Sequence, residues 1–500
     1  MQANPRQRRW ARRWQVGAIV LAGVYVVCFI WLTLARHASY NSTAFDLAFY
    51  DQILWNTAQG RLMQFTIEGL HQTNWAFHVE PILFLLAPLK WLFHDERWLL
   101  VLQTLVLASG AWPVYRIAQR TWKREWAGAF FTLLYLLTPT VGWSNTFDFH
   151  PLTLTTPLLL WAFDQLELKH YRALSLCLLL ALLCKEEMGL IVACFGLYAW
   201  FTGRWRGGVI WCAVGVAWAV FGFFVIIPGA QGTALANQAI LRYDWLFHGS
   251  FAEKVAYLTG PDTPNKLRFL FQLFLPLAFT SLLRPGIPFI ASPALVLSLL
   301  STNANQSSVY HHYMADVVPF LIISSIKGLY GINRWRRSMQ PRIVQRIALM
   351  FCFIMTTALF AVFGPLTYLP KEPLAPIYVL QPGASLAGLR AAETLLNDER
   401  CLTASNNIAA HYGQRHELYV IGIGDYTDCD RVLVDLADTR FVSFGSPQAY
   451  ICGLLEAGWN AAFFQENVLL VTREAVPSSL TDTVREACRL STPDQGGGAP

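Results

Sequence analysis

Charge is scarce in this chain. Asp, Glu, Lys and Arg make up 14% of its 500 residues, where a soluble domain carries about 25%. A large water-facing surface is hard to build from so little. Familiar soluble-enzyme signatures are missing too. There is no Walker loop, no GxSxG and no HExxH, so P-loop, serine-hydrolase and zinc-protease chemistries have no anchor. No CxxC or Cys/His spacing suggests zinc. No internal repeat is evident.

What the chain has instead is apolar length. Hydrophobic residues reach 54%, with 19 Trp and 33 Phe, a composition suited to lipid and its interfaces. Residues 15–34 and 208–227 are free of charge, and a bilayer asks for about 20 apolar residues per helix. Buried helices of a soluble core rarely stay uncharged over such a span. The first run exceeds the roughly 7–15 residues of a signal-peptide core, and no A-x-A-like site follows it. It reads as a retained first helix.

Loop charge sets the orientation. Arg6, Arg8, Arg9, Arg12 and Arg13 precede the first run and place the N-terminus in the cytoplasm. Eleven spans follow, near 15–34, 97–117, 126–142, 151–166, 173–186, 187–202, 208–227, 267–283, 286–300, 315–332 and 345–366. The 173–202 stretch could equally be one long helix. Every inner loop then carries Lys or Arg, from Arg116 to Arg346. The basic excess is anchor charge and calls for no nucleic acid. Residues 81–93 are too short to span and hold two prolines and a lysine. They read as a re-entrant or interfacial segment of the first external loop.

From Thr367 onward there are 9 Lys and Arg against 16 Asp and Glu, a net of −7, whereas the preceding residues carry +13. The chain therefore divides into a polytopic membrane domain (1–366), a small extracytoplasmic α/β domain (367–490) and a disordered tail (491–500). In the second domain 385–397 and 448–458 pattern as helices, and 431–436 and 467–473 as strands. Its four cysteines, Cys401, Cys429, Cys452 and Cys488, would form two disulfides in an oxidising compartment, with three connectivities open, or remain buried thiols.

Polar residues near lipid are costly and therefore informative. They cluster at FDLAFYDQILWNTAQG (45–60) with Glu68 and His71, at HVEP (78–81), at NTFDFHP (145–151), at KEE (185–187) and at SSVYHHYMAD (307–316). The topology turns all of these to the external side. Asp46 would cap a helix starting at Leu47, or serve as a base or cation ligand. Tyr50 would share its helix face, and Asp51 has the same two readings. His78 with Glu80, and Asp148 with His150, are either ordinary loop and capping groups or acid–base and phosphate-binding pairs. Lys185 and Glu186 form a self-neutralised pair or a lipid-phosphate site. His311 and His312 are interfacial anchors or contacts to a phosphate or sugar.

Taken in order, FDLAFYDQILWNTAQG, HVEPILFLLAPL, FDFHP, CKEEMGL and HHYMADVVPFL resemble the bacterial membrane proteins grouped as domain of unknown function 2079, from about Phe45 to the strand near residue 470. That family is similar to the GT-C glycosyltransferases, polytopic enzymes that use lipid-phosphate-linked sugars. The resemblance implies an all-α, GT-C-like membrane protein of about eleven helices carrying a small α/β domain. It implies a transferase taking a polyprenyl-phosphate-linked sugar to an extracytoplasmic acceptor in the inner (plasma) membrane. Asp46 would be the catalytic or metal-binding carboxylate. His78, Glu80, Asp148 and His150 would build the cavity, and Lys185 and Glu186 would meet the lipid phosphate. Whether a divalent cation, Mg or Mn, takes part stays open, with Asp46 and Glu80 as its candidate ligands. Many GT-C enzymes pair two adjacent acids in that loop; here Phe45 and Leu47 flank Asp46 and the next acid is Asp51, so an adjacent-acid metal site is in doubt. The competing functions are a lipid or sugar flippase, or a non-catalytic envelope-assembly protein. A transporter would place its ionisable groups at the midplane and often show repeats, which this chain does not.

Overall fold

The structure, a computed structural model, describes residues 5–67, 69, 72–231, 241–334, 340–366, 385–423, 429–437 and 446–491. The expected disordered tail, and Glu68 and His71, lie outside the described residues. The chain forms two compact units. The first takes Met1–Leu34, Asn74–Leu86 and Trp98–Ile377; the second takes Ala35–Thr73, Ala87–Arg97 and Tyr378–Pro500.

The first unit is helical, and helix occurs at each place where a span was expected. Among the described residues, four helices are long and apolar enough to cross a membrane: Arg9–Ala38, Arg97–Trp122, Gly208–Gln231 and Pro341–Phe363. Others are shorter apolar helices, including Tyr171–Leu182, Met188–Phe201, Pro288–Leu300 and Val318–Gly331. The 173–202 stretch is two helices, with Lys185 and Glu186 in the break. Proline explains where the others are cut. The 126–142 span divides into Glu125–Leu136 and Pro139–Thr146, because the residue before a proline disfavours helix. The expected 267–283 helix does not form as one piece. Thr263–Phe274 gives way to a 3-10 turn at Leu275–Leu277, then to left-handed Ala278 and Phe279 (φ 49° and 55°). Pro276 lacks the N–H a continuing helix needs, and its ring crowds the preceding turn.

Met188–Phe201 packs on Gly208–Phe221 through small residues. A Cβ on Gly196 would lie 2.4 Å from the Gly208 carbonyl, and one on Gly189 2.4 Å from that of Gly215. Only glycine lets these backbones touch, a common membrane helix interface. The 81–93 segment forms Ile82–Leu86 and a 3-10 turn at Ala87–Trp91. Ten residues of helix reach about 15 Å, half a hydrocarbon core of about 30 Å.

The second unit holds the sheets. Strands β1 (Gln64–Phe65) and β2 (Gln72–Thr73) pair antiparallel. Strands β3 (Leu402–Ala404), β4 (Leu418–Val420), β5 (Arg431–Asp435), β6 (Asn460–Gln465) and β7 (Val468–Thr472) form one sheet in the order β4-β3-β5-β7-β6. The β3–β4 and β3–β5 pairs are parallel, and β5–β7 and β6–β7 antiparallel. Val432, Val434, Leu469 and Val471 pack with Ile451, Leu454, Leu455 and Trp459. The expected helices occur at Leu386–Leu395 and Pro447–Glu456, the latter capped by Ser446 Oγ on the Ala449 N–H. Strand β6 was not expected. It is turned onto β7 by Glu466 and Asn467, both left-handed (φ 46° and 68°), as a two-residue hairpin turn requires. The cysteines pair as Cys401–Cys429 and Cys452–Cys488.

The loop following the first helix is built into this unit. The Gln52 amide donates to the Arg415 and His416 carbonyls, 3.1 Å each, and Thr66 Oγ1 bonds both the N–H and the C=O of Leu418, 2.8 Å each.

Candidate functional site

Within the first unit, segments far apart in sequence meet as one polar cluster. Glu186, just past the Tyr171–Leu182 helix, accepts from His78 Nδ1 at 3.0 Å and from the Val79 N–H at 2.9 Å. Both its oxygens are thereby engaged. Glu80 accepts from Asn74 Nδ2 at 2.9 Å; it is 1% exposed, and burial pushes its carboxyl above the usual range. Lys185 Nζ lies 3.0 Å from Glu187 Oε1 and 6.0 Å from the Tyr313 ring centre. His312 neighbours Tyr313 and stacks on His150, ring centres 3.5 Å apart. Phe147 lies 5.3 Å from each of His150, His311 and His312.

A buried glutamine holds the FDFHP segment. Gln103 Nε2 reaches the Ser144, Asn145 and Phe147 carbonyls at 3.0–3.2 Å, and its Oε1 accepts from the His150 N–H and Thr153 Oγ1. His150 Nδ1 faces the Asp148 carbonyl at 3.0 Å. A carbonyl only accepts, so Nδ1 carries a proton. The Asp148 carboxylate is buried. Burial beside His150 and Lys185 keeps His312 well below the usual histidine range, and its Nδ1 has no hydrogen-bond partner.

Gln103 is not singled out by the sequence, and Asp316 only as the last residue of the polar stretch 307–316. Gln103 gives no signal, being one polar residue on an amphipathic helix. Asp316 gives one: it is an acid at the mouth of the apolar run VVPFLII. It is 1% exposed, neither carboxylate oxygen has a hydrogen-bond partner, and Glu187 and Lys185 are the charged groups acting on it. The cluster thus offers an ammonium with donors to spare, an unpartnered imidazole nitrogen and an unpartnered carboxylate. Those groups can hold an anionic oxygen and move a proton.

Asp46, Tyr50 and Asp51 belong to the second unit. The helix begins earlier than Leu47. A π-turn over Ala44–Ala48 has Thr43 as its N-cap residue and runs into Phe49–Ala58. Asp46 therefore sits inside the first turn, half-buried, accepting from Thr43 Oγ1 at 2.5 Å. Tyr50 is buried on the same helix. Asp51 is fully buried and paired with Lys90 at 2.6 Å; burial pushes it up to about 6 against the pull of that ammonium. Lys90 comes from the 81–93 segment, so the lysine that interrupts this run has an internal partner.

Among the described residues, the only three His/Cys/Asp/Glu side chains whose ligand atoms gather within 4.8 Å are His37, Glu96 and His411, in the second unit. His37 bonds Glu96 at 2.8 Å and Ser42 at 3.1 Å. The two imidazoles stack 3.9 Å apart and 19° from parallel, so their in-plane lone pairs do not converge on one point. Neither Asp46 nor Glu80 belongs to this group.

The family model for predicted membrane protein (DUF2079) matches residues 36–442. No protein of curated function matches the chain. Among solved structures, ArnT from Cupriavidus metallidurans bound to undecaprenyl phosphate is similar over 91% of this chain and 98% of that one, at 12% identity and a TM-score of 0.57. The same protein in its apo state covers 91% and 99%, at 13% identity and 0.48. The oligosaccharyltransferase of Archaeoglobus fulgidus, of which the chain spans 65%, is 12% identical with a TM-score of 0.41.

Proposed function

This chain belongs to the family of predicted membrane proteins with domain of unknown function 2079, its fold is GT-C-like, and on that premise we propose that it is a membrane glycosyltransferase. It takes a sugar from a polyprenyl-phosphate carrier and passes it to an extracytoplasmic acceptor. The observation that carries this reading is the polar cluster of the first unit. Lys185, His312 and His150 gather beside buried acids, in a fold whose solved relative was crystallised with undecaprenyl phosphate. Transfer needs stabilisation of a departing phosphate and a base for the attacking hydroxyl. Lys185 and the histidines supply the first. For the second, the resemblance points to Asp46, which is half-buried and accepts from Thr43 Oγ1. Glu80, the candidate cation ligand of this unit, is buried and accepts from Asn74 Nδ2. Disulfides persist in oxidising compartments, and the two here support an extracytoplasmic C-terminal part.

The test is turnover of undecaprenyl-phosphate-linked sugars by the purified full chain. Asp46→Asn should lower the rate about 10²–10⁴-fold with an unchanged melting temperature. Near-normal turnover would remove Asp46 from the mechanism, and a wild type inert toward every such donor would overturn the enzyme reading.

A further inference from the structure

A second polar region of the first unit has charge without balance. A cavity of about 740 Å³ opens where four helices end, lined by Arg120, Glu167, Tyr198, Arg204, Arg284 and Lys327 among others. The volume is that of an ordinary small-molecule site. Its acids are already taken. Glu167 is ion-paired to both Arg120, at 3.0 Å, and Lys327, and buried Asp164 behind it pairs with Arg120 at 2.5 Å and Arg116 at 3.4 Å. That leaves five cations on two carboxylates. Arg204 and Arg284 pair with no carboxylate among the described residues.

The two arginines are held at their roots. Tyr171 Oη donates to the Arg204 carbonyl at 2.9 Å, and Ser324 Oγ to that of Arg284 at 3.1 Å. The Arg284 guanidinium lies across Gly331, where a Cβ would come within 3.2 Å of Nη2. Arg120 and Lys327 keep 27% and 18% of their side chains exposed, so the cavity reaches the surface. Guanidinium groups are planar forks matched to phosphate oxygens. All three arginines belong to the loops or helix ends that the charge pattern assigns to the cytoplasm, where basic pockets between helices bind anionic headgroups.

We propose that this cavity is a binding site for a phosphate ester, held between the Arg204 and Arg284 guanidinium groups with Arg120 and Lys327 beside them. It lies outside the polar cluster assigned to transfer and does not depend on that assignment. The ester comes either as an anionic phospholipid headgroup or as a soluble phosphate, and the two sources separate by experiment.

The experiment is thermal unfolding of the full chain, delipidated in neutral detergent, with added phosphatidylglycerol, phosphatidylcholine, or soluble glycerol phosphate. Phosphatidylglycerol should raise the midpoint saturably and phosphatidylcholine should not. Stabilisation by glycerol phosphate as well would assign the site to soluble esters. In either case Arg204→Gln with Arg284→Gln should weaken the apparent affinity about tenfold or more, since charge-assisted bonds are lost. Native mass spectrometry of the same variants reads bound ligand directly, and Arg284→Lys, which keeps the charge and loses the fork, should bind with intermediate affinity if the double variant unfolds. No shift with either phosphate ester, or equal affinity in wild type and variants, overturns the proposal.

Discussion

Glu186 and Asp51 are both buried carboxylates, one in each unit, and they are held in opposite ways. Glu186 spends both oxygens, on an imidazole and a backbone N–H of the His78–Val79 segment. Asp51 spends one oxygen on Lys90 and leaves the other without a hydrogen-bond partner. These two bonds tie the His78–Val79 segment in place. Under the proposed function Glu186 would position His78, and Lys185 and the histidines would meet the phosphate. Asp51 has a spare oxygen but no solvent, so it too serves the fold.

Substitutions can break this contrast. The largest effect is expected for Glu186→Ala, which strands a buried N–H and the His78 ring and should cost about 3–5 kcal/mol in detergent unfolding. A loss under about 1 kcal/mol would return Glu186 to the list of substrate contacts. Lys90→Met should cost about 2–4 kcal/mol at neutral pH, because it leaves Asp51 buried without its cation. That cost should shrink on acidification. Asp51 has a folded pKa raised to about 6 from 3.8, so its contribution is fully present below about 3.8 and is lost as pH rises through about 6. Unfolding of wild type and Lys90→Met at pH 7.5 and pH 5 measures the convergence. The second unit also carries covalent ties. Replacing Cys452 and Cys488 by Ser opens a link of sequence separation 36 and should cost about 2–4 kcal/mol, read as the gap between oxidised wild type and the double variant. The smallest effect belongs to the exposed Arg97–Asp95 pair, 60% and 40% accessible. Arg97→Gln should change stability by about 0–1 kcal/mol, and a larger change would show that surface charge matters more here than burial suggests.

The parts legible in the sequence were those where chemistry contradicts its surroundings. HVEP, FDFHP, KEE and HHYMAD are polar islands in apolar runs, and the fold gathers them in one unit. Helix positions were legible for the same reason inverted, as long runs without charge. Helix ends were less so. The 267–283 break at Pro276 was written in the residue itself, yet hydropathy averaging runs straight over one proline. Gln103 was invisible because its role lies in five contacts to a segment some forty residues away. The pairing of four cysteines could not be chosen among three connectivities by spacing. Strand β6 was hidden because its residues, NAAFFQ, carry no clean alternation.

The second unit is assembled from chain that is not contiguous. Its first pieces end at Thr73 and Arg97, and its last begins at Tyr378. A ribosome adds about 5–20 residues per second, so the segment holding Gln52 and Thr66 waits on the order of fifteen seconds to a minute for the strand it must bond, Leu418–Val420. During that interval its amide and hydroxyl have only water or a helper protein to satisfy them. Biogenesis thus has a vulnerable window that the finished molecule conceals. A truncated chain ending before residue 378 would never close it, so a stop codon there should yield a product whose first loop is a substrate for proteolysis.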